Sequence, residues 1–577
     1  MQRWILLALA AVPVIATLQR QPAPDLVWWT ADAMQKVRPY DSEPAATEAT
    51  RTVNLAAGRN EFEPFQIVLR AGTADLAGAD VDVTDLKSTT NGIVSKDHVM
   101  VYLERYMDLK IPSSIDGAAG EWPDPLIPKV DQYNHEPRNA FPFKLAKGKN
   151  QPLWFDVYVP MDTVPGTYHG EVRVRVSGKP EISVPVNLEV WNFTLPSTSS
   201  LPTTFGFSGM RAVRQHFGKY TNDEALFNLT SVYEKAALLH RVTLDGSSGV
   251  QPVISAIDNK VKIDWEKYDR HVEPLMDGHL FSRGDLLPGA KATTVTLHNP
   301  VHLRTPEQQI DYWRQAAQHF RKKGWSERLL NYLWDEPKKA DFAEMTRLGN
   351  IVRQADPTIR NLVTAPLHPE WAGFIDIWTP VINCFERKPR QSDYCDPMVD
   401  RTTYSPELSK GKQLWWYQAC SSHGCYIVGG EYFRDWPSYM IDHDSVRNRI
   451  MEWITWKYGI QGELYFATDE AYGGKADPWQ DVRLFGGNGD GTLFYPGTPD
   501  VIGGKSHIPI ESIRLKLIRE GLEDYEYLMM LSRAVGPKRA HEFVSRLITN
   551  TYTFNHDPKV LYQVRADIAR ELTANSR

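Results

Sequence analysis

Residues 305–337 read TPEQQIDYWRQAAQHFRKKGWSERLLNYLWDEP, and this stretch decides the fold of the larger part of the chain. Thr305 stands where a helix N-cap belongs, Pro306 takes the first helical position, and Gln308 completes a capping box. Ile310, Trp313, Ala317 and Phe320 form an apolar stripe at helical spacing, and Gly324 ends it. Shortly afterwards the apolar run Leu329 to Trp334 enters Asp335 and Glu336 directly, and Pro337 stops the ladder. A capped helix followed by a buried strand is one repeat of β/α alternation.

The rhythm extends in both directions. Strands are expected at Thr203 to Phe207, Val242 to Leu244, Thr293 to Leu297, Leu329 to Trp334, Asn361 to Ala365, Ile375 to Ile382, Gln413 to Gln418 and Glu463 to Ala467. Helical segments separate most of them, as in the face marked by Leu226, Leu229, Tyr233, Ala236 and Leu239. About eight strands over roughly 270 residues match a (β/α)8 TIM-like barrel. An open doubly wound sheet competes, but no glycine fingerprint follows the first strand. Helices are expected again at Ser512 to Leu531, Lys538 to Leu547 and Leu561 to Leu572.

Upstream the period changes to two. Val172, Val174 and Val176 alternate with polar residues, Ser177 to Pro180 turns the chain, and Val184, Val186, Leu188 and Val190 resume the alternation. Phe65 to Leu69 and Leu153 to Val159 read as further strands, so this region is a β-sandwich closed by the linker Leu195 to Pro202. The expected class is multidomain β plus α/β. Residues 1–24 are expected to be a signal peptide and short leader, 25–200 the N-terminal sandwich, 201–510 the barrel, and 511–577 a C-terminal helical extension packed on it.

Composition narrows the partners. The 577 residues carry 65 Lys plus Arg against 71 Asp plus Glu, a net charge of -6 with no basic cluster for nucleic acid or anionic membrane. Hydrophobic residues at 42% and charged residues at 24% exclude disordered, collagenous and multispan membrane chains. The rings (Trp 18, Tyr 25, Phe 21) suit sheet cores and the flat platforms that cover sugar faces. Arg3 precedes the apolar run Trp4 to Ala16, too short to span a bilayer, so export to the periplasm or medium is expected and an uncleaved anchor is the competing reading. The four cysteines, Cys384, Cys395, Cys420 and Cys425, fit disulfides of an exported protein, with three pairings open. Their spacing lacks a CxxC, which argues against zinc, and no metal or organic cofactor is expected.

Working groups of a barrel sit at the C-terminal ends of its strands, and the most loaded end is Asp335-Glu336. Adjacent carboxylates repel, and partial burial raises one of them toward the range of a general acid. The bland reading makes Asp335 a helix cap and leaves Glu336 in solvent. Adjacent strand residues face opposite ways, so both reach one sugar only if the backbone bends there.

The run Ser512-Ile-Arg-Leu-Lys-Leu-Ile-Arg-Glu-Gly-Leu-Glu-Asp-Tyr-Glu-Tyr-Leu528 resembles the signature helix of the DUF4091 type of domain, the catalytic domain of glycoside hydrolase family 123. Trp334 to Pro337, Leu414 to Tyr417, Tyr458 to Tyr465 and Asn488 to Gly497 are similar to its other blocks, in the same order. The resemblance implies an exo-acting β-N-acetylgalactosaminidase with a sandwich and a (β/α)8 barrel, working by substrate-assisted retention. In that scheme the 2-acetamido carbonyl attacks the anomeric carbon, Asp335 orients the acetamido nitrogen, and Glu336 protonates the leaving oxygen and then activates water.

Around this pair, Trp416, Tyr417, Tyr465, Asp469 and Trp479 are candidates for the sugar-binding surface, the last closing the pocket from above. Glu470 is a second choice beside Asp469. The charges from Arg514 to Asp524 are expected to pair along their own helix face, and His298 is left out of the site. Two other functions stay open. One is a two-carboxylate retaining glycosidase with Glu336 as acid/base and Asp469 or Glu470 as nucleophile, which needs carboxyls about 5 Å apart. The other is a carbohydrate-binding surface protein without turnover.

Overall fold

The computed structural model describes residues 25–245, 250–300, 302–389, 398–424 and 430–575. The expected leader, Cys395 and Cys425 lie outside the described residues. Cys384 and Cys420 are each disulfide-bonded.

The N-terminal region is mostly β and consists of two seven-stranded sheets. One runs in the order Leu26–Asp32, Glu61–Ala71, Asn150–Val159, Val99–Leu109, Gly120–Pro128, Ile508–Ser512, Phe494–Gly497. The other contains the expected hairpin, Gly166–Arg175 against Ile182–Thr194, with Val172 opposite Val184. Phe65, Ile67, Leu153 and Phe155 of the first sheet meet Val172, Val174, Val184 and Leu188 of the second in one apolar core, as the two-residue period requires. The last two strands of the first sheet come from the far end of the sequence. The boundary expected at 510 therefore divides a hairpin whose strand Ile508–Ser512 pairs with Gly120–Pro128.

Between Thr203 and Tyr465 two sets of strands pair in parallel, apart from the antiparallel hairpin Val253–Ile257 with Lys260–Asp264. Val295–Leu297, Leu329–Trp334, Arg360–Val363, Ile377–Trp378 and Gln413–Leu414 pair in sequence order. Thr203–Phe205 pairs with Glu463–Tyr465, which pairs with Trp416–Tyr417. Leu244 contributes a single bridge to Phe205 rather than a strand, and Thr293 N donates to Thr243 Oγ1 at 2.9 Å. Most strands are shorter than expected; Ile375 to Ile382, for instance, reduces to Ile377–Trp378 with one further bridge from Val381 to Tyr417 beyond Pro380. Helix Pro306–Lys323 has its capping box, with Gln308 N donating to Thr305 Oγ1 at 3.2 Å, and Gly324 ends it at φ 75°.

Helix Ile513–Val535 corrects an expectation. Its charges pair with other elements, because the helix is buried around its whole girth from Ile513 to Leu528 and each charge must be met by whatever surrounds it. Arg514 binds Asp124 and Arg519 binds Asp156, both on the first sheet. Glu523 accepts from Arg241 at 3.0 Å, and Asp524 accepts from Arg449, Arg565 and the Trp453 indole. The helix is thus a charged axle between the N-terminal sheets and the elements that carry Arg241 and Arg449.

Candidate active site

The strand Leu329–Trp334 is bulged just before its end: Tyr332 pairs with Leu362, but Trp334 pairs with Val363. The extra residue turns the strand, and Glu336 then takes a left-handed φ of 42°. These two irregularities supply the bend that adjacent carboxylates need. The Thr364 hydroxyl, at the end of the neighbouring strand, accepts from Glu336 N at 2.7 Å and donates to Asp335 Oδ1 at 2.8 Å. Tyr332 Oη donates to the same Oδ1 at 2.8 Å, and burial followed by the Asp335 charge pushes that phenol well above its ordinary range, so it stays a donor. Asp335 is no helix cap. Its Oδ1 holds two neutral donors while the side chain remains exposed.

Glu336 is held from the opposite side. Tyr417 Oη donates to its Oε1 at 2.5 Å, and His423 Nε2 lies 2.9 Å from the same oxygen. Tyr417 faces the interior with Trp415, Leu330, Tyr332 and Leu464. Gly462 makes room for Trp415, since a Cβ there would fall 2.1 Å from the indole.

The other proposed sugar contacts sit elsewhere, and each is a correction. Trp416 faces away from this interior, because it alternates with Trp415 and Tyr417; it is buried between Phe385 and Tyr458 with its indole N–H on Thr455 Oγ1 at 2.9 Å. Tyr465 is buried, its hydroxyl donating to Asp490 Oδ1 at 2.8 Å and accepting from Gly491 N at 2.7 Å. Asp469 is 1% exposed and accepts from Ser208 N, and burial pushes its carboxyl up to about 7. Glu470 pairs with Arg211. Trp479 is buried rather than standing over the site: its ring is tilted against Tyr495 and lies under Arg105, and its indole N–H donates to Pro496 O at 3.0 Å. Burial of apolar surface against the N-terminal sheet wins over exposure at that ring.

Tyr332, Thr364 and His423 complete the constellation and were not read from the sequence. Thr364 sits at an expected strand end, and His423 lies beside Cys420 after the strand that carries Tyr417, so position was the available signal. A groove of about 1470 Å³ between the N-terminal sheets and helix Asp223–Leu239 contains none of these residues. Among the described residues no cluster of His, Cys, Asp or Glu could hold a metal ion, and no helix is long and apolar enough to cross a membrane.

Two family models match the chain. The catalytic domain of glycoside hydrolase 123 matches residues 304–531, and the glycoside hydrolase 123 N-terminal domain matches residues 35–176. The chain belongs to glycoside hydrolase family 123. A family 123 glycoside hydrolase from Clostridium perfringens, solved in work on glycolipid glycan hydrolysis, is 14% identical over 96% of this chain and 97% of its own, with a TM-score of 0.66. A family 39 glycoside hydrolase from Bacteroides cellulosilyticus covers 81% of each chain at 10% identity and a TM-score of 0.29. No curated protein matches by sequence. This family 123 member is therefore a glycan-acting hydrolase, and the first of these likenesses extends over both its regions.

Proposed function

We propose that this hydrolase removes terminal β-linked N-acetylgalactosamine from glycans by substrate-assisted retention. The supporting observation is the single Thr364 hydroxyl that binds both the Asp335 carboxylate and the Glu336 backbone, so that one group fixes the Asp335 carboxyl and the chain from which the Glu336 carboxyl departs. Asp335 receives donors on Oδ1 and acts only as an acceptor, which suits it to take the acetamido N–H and so orient the carbonyl oxygen toward the anomeric carbon. Glu336 gives its proton to the glycosidic oxygen as the C1–O bond breaks and the carbonyl oxygen bonds to C1. Water then adds at C1, returns a proton to Glu336 and reopens the oxazolinium ring.

The two-carboxylate reading is weakened by its own candidates. Asp469 is buried with its carboxyl raised to about 7, and Glu470 is tied to Arg211, so neither is a free nucleophile. The same proposal includes closure of the parallel strands into a (β/α)8 barrel and export of the chain, the latter supported by the disulfide-bonded Cys384 and Cys420.

A panel of nitrophenyl β-GalNAc, β-GlcNAc and β-galactosides tests the reaction. Turnover of the acetamido sugars and strong inhibition by a thiazoline analogue are expected. Preference for the plain galactoside would overturn substrate assistance. Glu336→Gln should lose about 100-fold or more on poor leaving groups; unchanged hydrolysis would remove it from the mechanism.

A further inference from the structure

Glu336 is gripped at one oxygen by two side chains from different elements. Tyr417 Oη and His423 Nε2 both meet Oε1, at 2.5 and 2.9 Å. With the acid proton on Oε2, Oε1 accepts from both, and Nε2 is then the donating nitrogen of His423. We propose that His423 is a positioning residue that, together with the Tyr417 hydroxyl, saturates Oε1 and so makes Oε2 the oxygen that gives and takes the proton. This rests on the reading of Glu336 as the acid/base.

The backbone around the contact is built for it. Glu336, Cys420 and His423 all take left-handed φ, at 42°, 48° and 48°, a conformation that non-glycine residues keep only where the surroundings impose it. Those surroundings are specific. Asp490 Oδ2 accepts from Cys420 N at 2.6 Å, while Tyr465 Oη donates to Asp490 Oδ1 at 2.8 Å and Cys420 is disulfide-bonded. His423 N in turn donates to Ala419 O at 2.6 Å. A line of bonds therefore runs from the strand Glu463–Tyr465 through Asp490 and Cys420 to the imidazole and on to the acid. Among the described residues, the titratable groups of this constellation are Asp335, just past the end of the strand Leu329–Trp334, Tyr417 from the strand Trp416–Tyr417, and His423 from the turn after it.

Two variants separate positioning from folding. His423→Gln keeps an N–H donor at nearly the Nε2 position, whereas His423→Ala removes it. His423→Ala is expected to lower kcat/KM on a poor leaving group, such as an alkyl β-GalNAc, by about 10- to 100-fold, the worth of a hydrogen bond to a charged group. It should spare nitrophenyl substrates, whose leaving oxygen needs little proton help. Losing a donor to the carboxylate also moves the alkaline limb of the pH profile upward, and His423→Gln should restore both rate and limb. Equal losses on both leaving groups with an unmoved limb, in protein of unchanged melting temperature, would overturn the proposal. So would failure of His423→Gln to differ from His423→Ala. If instead Glu336→Gln leaves poor-leaving-group hydrolysis intact, the acid/base reading itself falls.

Discussion

The Arg519 guanidinium spans from the buried helix to Asp156 of the N-terminal sheet, with one nitrogen 3.0 Å from each carboxylate oxygen. Burial works against the Asp156 charge, yet Arg519 and Lys516 hold its carboxyl well below the usual carboxylate range. Asp156→Ala takes a shared carboxylate from two buried cations, leaving Arg519 with Glu520 and Lys516 with Glu511, and should cost about 3 kcal/mol in urea unfolding. The folded carboxyl is depressed, so its contribution is present above the unfolded value of about 4 and is lost as pH falls below it. A variant as stable as the parent at pH 7 would contradict this pairing.

Thr364→Val tests the shared cradle. The substitution preserves shape and removes the hydroxyl that serves both Asp335 and Glu336. We expect kcat/KM on β-GalNAc substrates to fall about 10-fold or more, in line with the loss of a bond to a charged group. A rate within twofold of the parent would show that the two carboxyls are held by other means.

Tyr465→Phe distinguishes support from sugar contact. Without its hydroxyl, Asp490 and Gly491 lose a buried partner, at a cost of about 1–3 kcal/mol in stability. Because the ring is buried, KM should stay unchanged. A raised KM with normal stability would return Tyr465 to the sugar-binding surface.

Asp469→Asn should alter the pH dependence of stability. Burial, opposed by Ser208 N and Arg211, raises the carboxyl to about 7, so the fold favours its protonated form. That contribution is complete below the unfolded value of about 4, and it declines until pH reaches about 7. The amide does not titrate, so the melting temperature of the variant relative to the parent should rise from pH 4 to pH 8. A constant difference across that range would sink the argument.

The sequence made the architecture legible where a local rule had one answer. Thr305, Pro306, Gln308 and Gly324 bounded a helix almost to the residue, and Val172 to Val190 gave a hairpin by alternation alone. Asp335 and Glu336 were legible because they stand where a strand ends. The ring platform was not. Trp416, Tyr465 and Trp479 are as aromatic as any sugar contact, but which face of a two-residue strand looks inward depends on the neighbour it pairs with. Trp479 was captured by a sheet almost four hundred positions upstream in sequence, a contact no local pattern encodes. Thr364 and His423 carry no signature of their own; their importance comes from what they touch. The Arg514 to Asp524 charges misled for a related reason, since charges expected to pair along their own helix face meet Asp124, Asp156 and Arg449 from other elements.

The strand Gly120–Pro128 must wait for its neighbour Ile508–Ser512, which the ribosome makes well over half the chain later. At roughly 5–20 residues per second the delay is on the order of tens of seconds, during which a growing chain offers an open border to other nascent chains. Pro123, Pro125 and Pro128 lie in that border, and proline gives an intruding strand no amide proton to hold. Translation order and proline placement together make this margin a guarded seam: cutting the gene between the two family domains would yield one fragment with a permanently unfinished rim and another holding the hairpin that belongs on it.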